Sequence, residues 1–130
     1  MIYPTLTEAL VIAAATVGID AKTLRLISRV DLLDPALFAP QATFDGIDLY
    51  ENFHTKAAVL CRSVALNHAL LDGNKRLAWQ LLDYFCEINR YVLVSTTDEA
   101  VDLMLSLAAG SVSIEELTEW IRIHATHSGQ

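Results

Sequence analysis

The sequence predicts an all-α fold, a compact helical bundle with one short β-like excursion ahead of its central helix. Three observations carry this reading. Apolar residues recur at spacings of three and four, as in the series Leu24, Ile27, Val30 and Leu33 and the stripe Leu77, Ala78, Leu81, Leu82 and Phe85. Two segments pair a hydroxyl residue with a glutamate three positions on, Thr5 with Glu8 and Ser113 with Glu116, which is the spacing of a capping box. The stretch without a helical period, residues 40–48, holds Pro40, Asp45 and Gly46, which is turn chemistry.

The elements follow in order. A first helix is expected over residues 6–17, stopped by Gly18. Asp20 can cap a second, over about residues 21–33, and Asp34-Pro35 then begins a break or a short helical turn. Residues 40–48 form a loop or small hairpin, with Asp45-Gly46 at its turn. The helix over 49–67 carries Ala57, Ala58, Leu60, Cys61, Val64 and Ala65; apolar coverage that wide places it at the centre of the bundle. Another helix spans 74–89. Asn89-Arg90-Tyr91 ends it, and Val92-Leu93-Val94 is extended or a buried connector. A helix from Thr97 or Asp98 to 108 and a last one from the Ser113 box to 124 complete the bundle, and the tail, 125–130, is expected to fray.

Bulk composition bounds the function. The 130 residues suffice for one domain, 1–130, with a real core. The apolar share is high, at 53%, yet no apolar run approaches the roughly 18 residues of a membrane helix. The first residues lack the basic region of a signal peptide. The expectation is a soluble, cytoplasmic protein with no membrane partner. A net charge of -7 argues against direct nucleic-acid binding, which needs a basic face. Cys61 and Cys86 both lie among apolar residues and read as buried free thiols in a reducing compartment.

The chemistry concentrates in Asn67-His68-Ala69-Leu70-Leu71-Asp72-Gly73-Asn74-Lys75-Arg76. Two cations stand in the first turn of a helix, where the macrodipole is already positive. That arrangement suits an anion, and a glycine before a helix N-terminus suits phosphate in particular. His68 is either a histidine at a helix C-terminus or a general base for a hydroxyl nucleophile. Asp72 is an N-cap, a ligand for Mg²⁺, or both. Gly73 supplies a permissive turn and lets phosphate approach the backbone. Asn74 is turn chemistry or a donor to phosphate. Lys75 and Arg76 are a solvated pair, or a point charge and a fork for a polyphosphate. His54, His124 and His127 lack such company, and Trp79 and Trp120 read as core or interface anchors. The spacing of a P-loop is absent, no Cys/His spacing supports zinc, and there is no G-x-S-x-G elbow.

This ten-residue stretch resembles the signature of the Fic/Doc family, H-x-F-x-[DN]-[AG]-N-K-R in its death-on-curing (Doc) branch. The likeness extends to residues 40–50, which are similar to the branch's flap, to Lys56-Ala57-Ala58 at the start of the central helix, and to Glu115-Glu116-Leu117 with Trp120 in the closing helix. Members that transfer AMP carry glycine in place of Lys75 and a further arginine in place of Trp79, so both positions point to the Doc branch. The resemblance implies a Fic/Doc-type helical bundle and a kinase that moves the terminal phosphate of ATP to a hydroxyl of elongation factor Tu, arresting translation. It implies the toxin of a toxin–antitoxin pair, neutralised by an antitoxin segment in the groove beside the motif. By the same resemblance His68 is the base, Asp72 holds Mg²⁺, and Gly73, Asn74, Lys75 and Arg76 cradle the phosphates of ATP. The flap at Thr43, Phe44, Asp45 and Gly46 holds the target by strand addition. Leu70 stands where the family has an aromatic and Ala69 where proline or isoleucine is common, so a catalytically weakened binding module is one alternative; AMP transfer of the Fic type is the other. The family's built-in inhibitory pattern, [ST]-x-x-x-E-[GN], fails at Glu116, which points to inhibition in trans.

Overall fold

The computed structural model describes residues 1–128. Its helices are α1 (Leu6–Val17), α2 (Ala21–Ile27), α3 (Val30–Phe38), α4 (Phe53–Leu66), α5 (Asn74–Ile88), α6 (Thr97–Ala108) and α7 (Ile114–His124), with a 3₁₀ turn at Ala39–Gln41. Local chemistry sets most boundaries. Thr5 with Glu8, Thr96 with Glu99 and Ser113 with Glu116 each close a reciprocal capping box. Gly18 ends α1 in the left-handed conformation, at φ 77°. Asn52 caps α4 by accepting from the Thr55 N–H at 2.9 Å, so the central helix begins at Phe53 rather than near 49. Strands β1 (Thr43–Phe44) and β2 (Ile47–Asp48) pair antiparallel around Asp45 (φ 54°) and Gly46 (φ 80°), the two left-handed residues of a type I′ turn.

Two further expectations are corrected. The single helix over 21–33 is two helices, and the break falls at Ser28–Arg29 instead of Asp34-Pro35. Ser28 is extended (φ -102°, ψ 156°), and the Arg29 N–H leaves the helical ladder to donate to the Ala69 carbonyl at 2.7 Å. The Arg29 carbonyl then accepts from Leu32 and Leu33 and starts α3, which accommodates Pro35 in its second turn. The tail does not fray through 127. Ala125–His127 forms β4, antiparallel to β3 (Tyr91–Leu93), with Leu93 opposite Ala125 and Tyr91 opposite His127. Residues 129 and 130 lie outside the described residues.

The core gathers around α4. Its Ala57, Ala58, Leu60 and Cys61 are wholly buried, and so are Leu77, Ala78, Leu81, Leu82 and Phe85 of α5. Small buried side chains on α4, among them Ala57, Ala58, Cys61 and Ala65, suit close packing of the helices around it. Phe53 stacks on Tyr91 at 3.9 Å and on Phe85 at 5.0 Å between ring centroids, joining the start of α4 to β3. Cys61 and Cys86 are buried free thiols, and burial pushes both up to about 12. Among the described residues no helix is long and apolar enough to cross a membrane. This packing fixes the end of α4 and the start of α5, and with them the ends of the loop that carries the motif.

Candidate active site

The loop begins where α4 ends. Asn67 is still right-handed (φ -85°, ψ -11°), and His68 turns left-handed at φ 55°, a conformation that glycine or asparagine adopts at far lower cost. Tertiary bonds hold it there. The Asn67 side-chain amide donates to the Leu32 carbonyl of α3, and the Ala69 carbonyl accepts from Arg29. The Asn74 side chain makes a matched pair: its Oδ1 accepts from the Leu70 N–H at 2.9 Å, and its Nδ2 donates to the Leu70 carbonyl at 2.9 Å. Ala69 and Leu70 are buried in the core cluster, whereas His68, Leu71 and Asp72 are exposed. Leu70 is therefore buried against the core, and its N–H and its carbonyl are both held by Asn74.

Gly73 makes the turn into α5 at φ 94°. A methyl group there would stand 2.7 Å from Val17 Cγ1, closer than packing allows. Gly73 is the N-cap of α5 and brings no side-chain acceptor, whereas α1, α2, α4, α6 and α7 are capped by Thr5, Asp20, Asn52, Thr96 and Ser113. The first-turn N–H groups of α5 are left for an external acceptor. Asp72 does not cap this helix. Its carboxylate, almost fully exposed, lies 3.6 Å from the Arg76 guanidinium. Lys75 and Arg76 are exposed at the positive end of the dipole, so the ensemble favours an anion richer in charge than one aspartate.

Lys75 and Arg76 also reach a cleft of about 690 Å³ between α1, α5 and α6, whose walls include Trp79, Thr96, Val101 and Leu105. Asp72, Gly73, Asn74, Lys75 and Arg76 are thus brought together around the start of α5, and His68 faces solvent across the loop. Thr43, Phe44, Asp45 and Gly46 are exposed on a separate element, and among the described residues no hydrogen bond or ion pair joins them to the motif loop. The remaining histidines belong to other packing. His124 approaches the Trp120 carbonyl (2.7 Å) and Glu99 (3.3 Å), and its ring stacks on Trp120, which meets Trp79 edge-on. Burial, reinforced by the Arg122 charge, holds His54 below the ordinary histidine range. Sequence reading missed the Asn67 anchor and the α6 wall of the cleft. An amide at a helix end looks like any cap, and its acceptor on α3 is 35 residues away.

The sequence profile of the Fic/DOC family matches residues 6–86, from α1 through most of α5, and so includes both hairpin and loop. Over 88 residues the chain is 43% identical to Toxin Doc of Mycolicibacterium smegmatis, a match that covers 66% of this chain and 68% of that protein. With the profile spanning more than half of its length and Toxin Doc of that organism 43% identical to it, the chain belongs to the Fic/DOC family, in its death-on-curing branch.

Proposed function

We propose that this chain is the toxin of a toxin–antitoxin pair and that it transfers the terminal phosphate of ATP to a hydroxyl of a protein of the elongation factor Tu class, arresting translation. One observation carries the reading. Lys75 and Arg76 stand together at a helix start that has no side-chain cap, beside a cleft, with lysine where AMP-transferring members have glycine. ATP, when bound with Mg²⁺, supplies the transferable phosphate and the divalent charge that offsets its oxygens. Gly73 lets the phosphates reach the backbone. Asn74 offers them its backbone N–H, because its side chain is engaged with Leu70. Lys75 supplies a point charge and Arg76 a fork. Asp72 fits Mg²⁺ as a lone exposed carboxylate. Among the described residues no group of three or more potential ligands forms a protein cage, and Mg²⁺ commonly takes one or two carboxylates, phosphate oxygens and water. His68 takes the proton from the attacking hydroxyl.

Thr43, Phe44, Asp45 and Gly46 form the flap that receives the target backbone by strand addition, a role that their exposure permits. The cleft beside Lys75 and Arg76 receives the antitoxin segment. The domain acts as one unit over residues 1–130, in the cytoplasm, without nucleic-acid contact. Burial of Leu70 and the Asn74 clamp on its backbone favour a competent enzyme over a weakened binding module. The decisive experiment incubates the chain and elongation factor Tu with ATP labelled on the α or the γ phosphate. Label from γ is expected on the target; label from α would replace phosphate transfer by AMP transfer. His68→Ala is expected to abolish toxicity on expression in bacteria, and toxicity equal to wild type would defeat the catalytic role.

A further inference from the structure

Lys56, in the first turn of α4, is only 3% exposed. Its position is unfavourable twice over. A buried ammonium loses hydration, and a cation near a helix N-terminus opposes the dipole. Its partners show what offsets that cost. Nζ donates to the Pro40 carbonyl at 3.2 Å, lies 3.6 Å from the Asp48 carboxylate, and sits 5.8 Å from the centroid of the Tyr3 ring. Pro40 precedes β1 and Asp48 ends β2, so one ammonium grips both legs of the hairpin.

The hairpin needs such a grip. Every residue from 43 to 48 is exposed, so no buried side chain of its own ties it to the core. Beyond its two-residue strands, the Leu49 N–H donates to the Ala42 carbonyl at 2.9 Å and closes the base. A two-stranded hairpin alone is marginal in water. We propose that Lys56 is a positioning residue: it fixes the attitude of the β1–β2 hairpin on α4 and so sets where a bound target backbone stands relative to His68, which follows the other end of the same helix. The positioning role rests on the reading of the hairpin as the target-binding flap; the anchoring of the hairpin does not.

Lys56→Met separates the two. Methionine matches lysine in length and removes the cost of burying its ammonium, and Asp48, whose side chain is 59% exposed, stays solvated without its partner. The thermal midpoint of the full chain is therefore expected to hold or rise, while amide hydrogen exchange at Leu49 accelerates by about tenfold, the factor set by losing one charge-assisted bond. In the transfer assay KM for the target protein rises by about tenfold and kcat falls by much less, with ATP affinity unmoved. Asp48→Asn keeps the Pro40 bond and is expected to move both readouts less, in the same direction; it also stands in for Lys56→Met should that variant not fold. Unchanged Leu49 exchange in both variants overturns the anchor. Uniformly faster exchange with a lowered midpoint assigns Lys56 to general stability and overturns the positioning role. Faster exchange at Leu49 with KM unmoved overturns both the positioning role and the flap reading. If the wild-type chain transfers nothing, the functional reading fails, and exchange at Leu49 still decides the anchor.

Discussion

At the scale of single residues, the loop holds two backbone conformations that only particular side chains tolerate. His68 occupies left-handed space at φ 55°, and the bonds from Asn67 and Asn74 and the bond at Ala69 keep it there. An L side chain in that region costs roughly 1 kcal/mol or more relative to glycine, and the protein accepts this at the position proposed to hold the base. His68→Gly is accordingly expected to stabilise the chain by about 0.5–1 kcal/mol in urea unfolding, part of the gain being offset by the freer unfolded chain, while toxicity disappears. His68→Ala keeps the conformational cost and should lose toxicity without that gain. Gly73 is the converse case. Gly73→Ala drives a methyl against Val17 Cγ1 at φ 94°, and a loss of about 1–3 kcal/mol is expected. Adding Val17→Ala removes the opposing Cγ1, so the double variant should lose less than the sum of the singles; a strictly additive urea series would show that the contact does not matter.

At the scale of elements, what was legible in the sequence is what is local. The Thr5 and Ser113 boxes, the α5 stripe and the Asp45-Gly46 turn are each written within a few residues, and each stands where expected. The motif was legible for the same reason: Asp72, Gly73, Asn74, Lys75 and Arg76 are contiguous, and a helix start gathers them. Two of the misplaced boundaries depend on partners far along the chain. The α2–α3 break exists because Arg29 bonds Ala69, 40 positions on, and β4 exists because β3 lies beside it. The grip of Lys56 on Pro40 and Asp48, and of Asn67 on Leu32, have no local signal either. β4 makes a testable element. Val94 donates to the His124 carbonyl at 2.9 Å, Ala125 is buried, and His127 meets the Tyr91 ring edge-on at 4.9 Å. A chain stopped after His124 is expected to lose about 1–3 kcal/mol, the cost of an unpaired β3 and a bared Tyr91. An unchanged urea midpoint would mean that the strand adds nothing to the bundle.

At the scale of the whole molecule, stability should follow pH through titrating groups of the framework. On the acid side, burial and then the Arg122 charge lower the pKa of His54 below its unfolded value. The unfolded chain takes that proton first, so this contribution is present above about pH 6.5 and is lost as pH falls. The capping-box carboxylates of Glu8, Glu99 and Glu116, and those of Asp20 and Asp31, are lowered by the hydrogen bonds they accept. Their contributions are present above about pH 4 and are lost below it. Asp83 works against them: burial, then the Glu87 charge, raise it, so its protonation relieves the folded state in acid. On the alkaline side, burial pushes the Cys61 and Cys86 thiols up to about 12. An unfolded thiol ionises near pH 8.5, so between roughly 8.5 and 12 the folded chain retains protons that the unfolded chain has lost, and stability falls as pH rises. Tyr84, raised chiefly by the bond that its hydroxyl donates to Glu8, adds to this limb above about pH 10. The thermal midpoint should therefore show a plateau from about pH 6.5 to 8.5 with a decline on each side. The alkaline decline belongs to the core, because the thiols lie on α4 and α5, the two helices that bracket the motif loop. Joint Cys61→Ala and Cys86→Ala substitution leaves small cavities and lowers the plateau, yet it should flatten the decline between about pH 8.5 and 10 relative to that plateau. A decline as steep as that of the wild type would assign alkaline unfolding to other groups.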